Sequence, residues 1–288
     1  MDTGFSMRPI YLSGILSILI LLFIFLKNSF DPRTTLVFCD VGQGDGAYIR
    51  LENRIDIVID AGPDQKILDC LGKYMPFYDR TIELAFNTHP QKDHYGGYLG
   101  IGERYKIEVF LLSPIDSHAK SFLQLKELLA QKNVQVKPFY AGDIISLKNA
   151  SIRSVWPTNQ FVTKNVNLTK NNHGFYETHR DPNDFSQVVL MTIGSTKILF
   201  TGDISPSSEQ IILKNQLPAV TILKVPHHGS KNGLIESFLK IINPKIAVIS
   251  VGKNNSFGHP SPEIIKLLGK YHVPIRRTDQ ERDIVFKF

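Results

Sequence analysis

Residues 82–97 read IELAFNTHPQKDHYGG. An apolar, strand-like run ends there in a polar turn that carries His89, Asp93 and His94 in close succession. Imidazole and carboxylate are the usual ligands of zinc or manganese at neutral pH, and a turn can aim several of them at one point. Gly96 and Gly97 are expected to let the chain turn sharply into the next segment.

Outward from this stretch the arrangement recurs. FTGD at 200–203, KVPHHGS at 224–230 and GKNNSFGHP at 252–260 each follow an apolar run and each bring chemistry-bearing side chains to a turn. Side chains at the ends of several strands can meet at one edge of a sheet, where a site assembles. Strands are predicted at 35–41, 46–51, 55–60, 82–88, 107–112, 134–139, 150–156, 187–193, 196–202, 220–226, 245–251 and 283–288, from Val, Ile and Phe enrichment over short runs. Helices are predicted at 65–74, 118–132, 207–216, 233–242 and 261–271. Within 118–132, Phe122, Leu125, Leu128 and Leu129 share one face. Ser261-Pro262-Glu263 has the form of a helix start. An early run of strands followed by strands alternating with helices fits an α/β (α+β) domain of two sheets with helices outside them. Residues 158–184, rich in Asn, Thr and Lys, read as a loop insertion flanking the substrate side.

The 288 residues are 42% hydrophobic and 21% charged, which excludes a disordered, collagen-like or coiled-coil protein. The net charge of +6 is compatible with a polyanionic partner without demanding one. Two cysteines, Cys39 and Cys70, are too few for a disulfide framework or a cysteine-built zinc site and read as buried small hydrophobes. Pro9 to Leu26 carries no charge and lies between Arg8 and Lys27. Its length is near the ~20 residues that span a bilayer, and no small-residue cleavage signature follows it, so it reads as a signal-anchor. The chain then divides into a tail (1–8), an anchor (9–26), a linker (27–34) and a domain (35–288). Charges flanking the anchor do not orient it. A single-pass protein with its domain outside the cytoplasm is the default expectation.

Taken together, DVGQGDG (40–46), IDAG (59–62), THPQKDHYGG (88–97), LFTGD (199–203), KVPHHGS (224–230) and SVGKNNSFGHP (250–260) resemble the metallo-β-lactamase superfamily, and within it the C-terminal hydrolase domain of ComEC-type DNA-uptake proteins. The resemblance covers residues from about 35 to 288. It implies an αββα sandwich with two divalent ions, zinc or manganese, at one edge. It implies His89, Asp93, His94 and His228 as ligands, with His227 the alternative to His228, and Asp203 bridging the ions. His227 and His259 would serve at the leaving oxygen, with His259 alternatively a ligand, and Lys224 and Ser230 would contact a phosphate. Asp45 and Asp60 belong to the motifs but read first as structural.

The superfamily pattern H-x-H-x-D-H has Gln91 at its second histidine position, and an amide is a poorer ligand, so one ion site is expected to be weak. The multi-helix channel of ComEC-type proteins has no counterpart here, so DNA uptake would need a separate membrane channel partner. The implied activity is hydrolysis of phosphodiesters, foremost nucleic acid. A small or cell-wall phosphodiester of phosphorylcholine type, a carboxylic hydrolase, and a metal-free binding module remain alternatives.

Overall fold

The computed structural model describes residues 8–29, 33–171, 173–214 and 216–288. The expected tail, apart from Arg8, and part of the expected linker lie outside them. Arg8–Ser29 forms helix α1, whose side chains from Tyr11 to Phe23 are exposed. Among the described residues, no helix is long and apolar enough to cross a membrane.

The domain consists of two seven-stranded sheets. The first is built from β1 (Thr35–Phe38), β2 (Gly46–Leu51), β3 (Ile55–Ala61), β4 (Thr81–Asn87), β5 (Lys106–Leu112), β6 (Gln135–Pro138) and the C-terminal β14 (Ile284–Lys287), in the order β14-β1-β2-β3-β4-β5-β6. The second contains β7 (Ile144–Ser146), β8 (Ala150–Trp156), β9 (Val188–Ile193), β10 (Thr196–Phe200), β11 (Ile222–Lys224), β12 (Ile246–Ile249) and β13 (Ile275–Arg277), in the order β13-β12-β11-β10-β9-β8-β7. In each sheet an antiparallel half gives way to a parallel one: β3 through β6 run parallel, as do β10 through β13.

The alternation within β2 explains the stacking. Ala47, Ile49 and Leu51 enter the core between the sheets, where they join Phe86, Met191, Phe200 and Val248. Tyr48 points the other way, toward α2 (Lys66–Tyr74), α4 (Tyr98–Arg104) and α5 (Lys120–Gln131). A matching outer cluster lies between the second sheet and α7 (Pro206–Ile212), α8 (Glu236–Ile242) and α9 (Pro262–Lys270). Helix, sheet, sheet, helix is the expected layering. The four-residue face expected on α5 is buried, and Lys126 with it; the ammonium pairs with Asp116 Oδ1 at 2.7 Å.

Several expectations need correction. Cys39 and Cys70 are buried but joined by a disulfide; the residue after β1 meets α2, which packs on the neighbouring β2, a proximity that a separation of 31 residues does not reveal. Residues 92–104 are not a plain turn but hold α3 (Lys92–Tyr95) and α4. Gly96 and Gly97 are helical in φ. They are needed for close approach, because a Cβ would sit 2.2 Å from Pro63 O and 2.1 Å from Ala61 O respectively. The 158–184 stretch contains α6 (Asn159–Lys164) and a 3-10 turn (Pro182–Phe185), and Tyr176 bridges to Ile115 just beyond β5.

Glu209 in α7 is wholly buried, with Oε2 accepting from Ile235 N at 2.8 Å and Oε1 unpartnered. Burial raises its pKa well above 4.5, opposed by the Ile235 N–H. The folded state therefore holds this proton more tightly than the unfolded chain. Its contribution to stability is complete below about pH 4.5 and declines as pH climbs toward the folded value, by at most about 1.4 kcal/mol per pH unit. Glu209→Gln is expected to flatten that decline in denaturant titrations at stepped pH. Identical slopes for the two proteins would refute it.

Candidate metal centre

The turns that follow β4, β10, β11 and β12 meet at one edge between the sheets. Asp93 Oδ2, His94 Nε2, Asp203 and His228 Nε2 form a group whose ligand atoms all lie within 4.8 Å of one another. His94 Nε2 is 3.3 Å from Asp203 Oδ1, and His228 Nε2 is 3.3 Å from both Asp203 Oδ2 and Asp93 Oδ2. Two ligands of a single zinc ion, each at about 2.0–2.2 Å, stand no more than about 4.4 Å apart, so this group is close to the size one ion needs.

Each ligand is aimed by its backbone. Asp60 is the extra residue of a β-bulge: β2 and β3 pair Gly46 with Ala61 and Ala47 with Ile59. Its φ of 55° is left-handed, and a bulge of this kind redirects a side chain. The Asp60 carboxylate accepts from Thr88 N at 2.8 Å and Thr88 Oγ1 at 2.7 Å, and lies 2.7 Å from His94 Nδ1. His94 thus keeps its proton on Nδ1 and turns Nε2 to the cluster. His227, His228 and Gly229 are consecutively left-handed (φ 51°, 53° and 77°), a costly backbone held by His227 N donating to Gly202 O at 3.1 Å. This turn drives the two imidazoles apart. His228 is buried with Nδ1 3.0 Å from Ser250 O and 3.2 Å from Asp45 Oδ1. His227 stands at the rim, Nε2 3.9 Å from Asp203 Oδ2. Gly202 permits the turn into Asp203: its φ is 48°, and a Cβ there would meet Ser186 Oγ at 2.2 Å.

The remaining predicted residues are placed as follows. His89 is buried, its ring 4.2 Å from that of His94, with Nδ1 near Thr88 Oγ1 (3.1 Å) and Ser186 Oγ (3.4 Å). It is not part of the four-residue group. His259 is also outside that group and flanks it, its ring 6.5 Å from His228 and 5.9 Å from His227. Lys224, expected at a phosphate, is buried against Asp45 and donates to Gly202 O at 3.0 Å. Ser230, expected there too, is buried and accepts from Asn232 N. Both therefore support the turns. Asp45 and Asp60, read as structural, hold the far sides of the two ligand histidines. Their motifs DVGQGDG and IDAG were the available signal, but the bulge that aims Asp60 was not visible in them.

The electrostatics fit a divalent cation. Burial opposes charge on Asp203, yet the His228 and His94 rings hold its carboxyl well below the usual range. Burial likewise opposes protonation of His94 and His228, and Asp203 outweighs it, with Asp60 helping at His94 and Asp45 at His228. His89 is pushed down to about 3, first by burial and then by His94. His89 Nε2, His94 Nε2 and Asp203 Oδ1 are buried without a hydrogen-bond partner. Such orphaned atoms are costly, and an ion satisfies them together. Lys224 already matches Asp45, which leaves Asp93 and Asp203 to balance two positive charges. A second ion would have His89, the Gln91 amide beside it and the shared Asp203, a poorer donor set.

Asp60→Asn keeps a residue tolerant of positive φ but removes the charge behind His94. It is expected to weaken Zn²⁺ binding by about 10–100-fold in chelator competition. Unchanged affinity would show that Asp60 does not orient the ligand.

Residues 40–253 match the family model described as metallo-beta-lactamase superfamily. ComE operon protein 3 of Bacillus subtilis is 24% identical over 94% of this chain and 35% of its own length. Recombination protein 2 of Haemophilus influenzae is 33% identical over 88% of this chain and 28% of its own. The chain thus spans about a third of the length of these curated relatives. The metallo-beta-lactamase fold protein YhfI of Bacillus subtilis superposes with a TM-score of 0.56 at 11% identity, over 88% of this chain and 99% of that one.

Proposed function

The chain belongs to the metallo-beta-lactamase superfamily, and from that premise we propose that it is a membrane-anchored, divalent-metal-dependent phosphodiesterase acting on nucleic acid. The observation that carries the reading is the Asp93, His94, Asp203 and His228 group, all buried but the half-buried Asp93, in which His94 Nε2 and Asp203 Oδ1 have no hydrogen-bond partner. A bound Zn²⁺ or Mn²⁺ supplies Lewis acidity, bringing a water ligand toward neutral pKa and offsetting charge on phosphoryl oxygens.

The protein's own residues do the rest. Asp203 and Asp93 set the charge of the centre, while Asp60 and Asp45 fix the ring orientation of its histidines. His227, at the rim beside Asp203, is placed to give a proton to the departing oxygen. Burial, then the neighbouring His228 and His227, lower the pKa of His259, which lines the same opening. One tight and one weak ion site is the reading for metal content.

The nucleic-acid assignment draws on the similarity to ComEC-type relatives and on the +6 charge. A membrane channel as partner is also proposed, from the similarity to ComEC-type relatives. Anchoring through the 9–26 segment, with the domain outside the cytoplasm, is also proposed. The buried Cys39–Cys70 disulfide favours an oxidising compartment.

The test is hydrolysis of single-stranded DNA, bis(p-nitrophenyl)phosphate and glycerophosphocholine by the full chain with Mn²⁺ or Zn²⁺. Preferred turnover of DNA is expected. Preference for the choline ester would reassign the substrate to cell-wall-type phosphodiesters, and no turnover of any would overturn the activity.

A further inference from the structure

Phe257 stands in the loop between β12 and α9 with 67% of its surface exposed. Its ring stacks on His259, centroids 5.8 Å apart and planes 24° from parallel. His259 in turn lies over His228, a ligand residue of the proposed centre, at 6.5 Å and 28°. A line of aromatic faces therefore runs from the buried cluster to solvent and ends in a bare phenyl ring.

The loop that presents this ring is tied down. Asn255 Nδ2 donates to Gly252 O (2.9 Å) and His259 O (2.8 Å), its Oδ1 accepts from His259 N (3.0 Å), and Gly252 N donates to Gln43 Oε1 (3.1 Å). The exposure of Phe257 is thus imposed by a braced loop. Among the described residues of the domain, the other highly exposed aromatics, Phe77 and Tyr78, pack edge to face on each other at 5.5 Å. A phenyl ring held in water gains when a flat apolar face covers it.

The charge around the opening narrows the occupant. Lys92, Lys231 and Lys253 are exposed on the three segments, α3 and two loops, that carry Asp93, His228 and His259. Exposed cations repel a quaternary ammonium group and attract a polyanion. A stacking aromatic among lysines is the arrangement that holds unpaired bases along a backbone. A paired base has its faces covered by neighbours in the stack.

We infer that Phe257 is a substrate-positioning platform: it stacks an unpaired base of a single-stranded nucleic acid and so sets a neighbouring phosphodiester on the metal cluster. The inference deepens the proposed phosphodiesterase reading and rests on it.

The test compares wild type, Phe257→Ala and Phe257→Trp in the full chain. Substrates are a labelled single-stranded oligothymidylate and the same backbone made abasic. KM and kcat are measured with Mn²⁺, and binding by anisotropy after EDTA treatment. Phe257→Ala is expected to raise KM and Kd for the base-bearing strand about 5- to 150-fold, toward the wild-type value for the abasic strand, with KM changing more than kcat. Phe257→Trp should retain tight binding. Equal KM and Kd for wild type and Phe257→Ala, equal affinity of wild type for both strands, or equal loss in Phe257→Trp would overturn the stacking role while leaving the nuclease reading intact. If wild type cleaves no strand, the nuclease reading fails. Anisotropy then still decides whether Phe257 holds a base.

Discussion

Replacing Asp203 with alanine is expected to leave a folded chain that retains under about a tenth of the wild-type metal and hydrolyses phosphodiesters at least about a thousandfold more slowly, a loss of some 4 kcal/mol of transition-state stabilisation. Asp203 is the anion at the centre of the cluster. It lies 3.3 Å from both ligand imidazoles, 3.7 Å from Lys224 Nζ and 3.9 Å from His227 Nε2. Without it the four-residue group becomes three and loses half of the charge available for a divalent ion. The buried rings of His94 and His228 also lose the strongest interaction favouring their protons. Asp203→Asn preserves shape and separates charge from packing: it should lose metal nearly as fully as alanine. Elemental analysis and bis(p-nitrophenyl)phosphate turnover are the measurements. Wild-type metal content and rate in Asp203→Ala would dismantle the assignment of this cluster as the centre.

The second large effect is expected from the disulfide. Closing Cys39 to Cys70 removes chain entropy from the unfolded state, worth about 4 kcal/mol for a separation of 31 residues. The loop so closed contains both Asp45 and Asp60, so the bridge constrains the carboxylates that orient His228 and His94. Cys39→Ala/Cys70→Ala, or reduction of the wild type, is expected to lower Tm by about 10 °C. The variant should also bind metal more weakly. Equal Tm with and without reductant, when thiol titration confirms opening of the bridge, would remove its stabilising role. Thiol trapping in intact cells addresses location as well: free Cys39 and Cys70 would overturn the oxidising compartment.

That Asp93, His94, Asp203 and His228 stand at the ends of apolar runs was legible because the signal is local; that these four meet, with His89 outside their group, was not. Strands 46–51 and 150–156 carry bounds identical to those read from residue pattern. The three-residue strands β7 and β13 escaped notice, whereas β11, equally short, was read because it lies within the longer apolar run VTILKVP. Lys224 illustrates the deeper difficulty. After an apolar strand and before a histidine turn, a lysine has the credentials of a phosphate contact. In the fold, Asp45, from a different sheet, neutralises it in the interior.

The sequence by itself determined the longer strands and helices and which segments carry imidazole and carboxylate, since these follow from side-chain period, branching and the identity of a few neighbours. Only the tertiary structure decided that Asp60 bulges toward His94, that a left-handed run separates His227 from His228, and that Cys39 meets Cys70. Those outcomes depend on the order in which strands pair and on which strand ends share one buried, low-dielectric volume. There the balance between desolvation and opposite charge assigns each side chain its role, and that balance is set by groups distant along the chain.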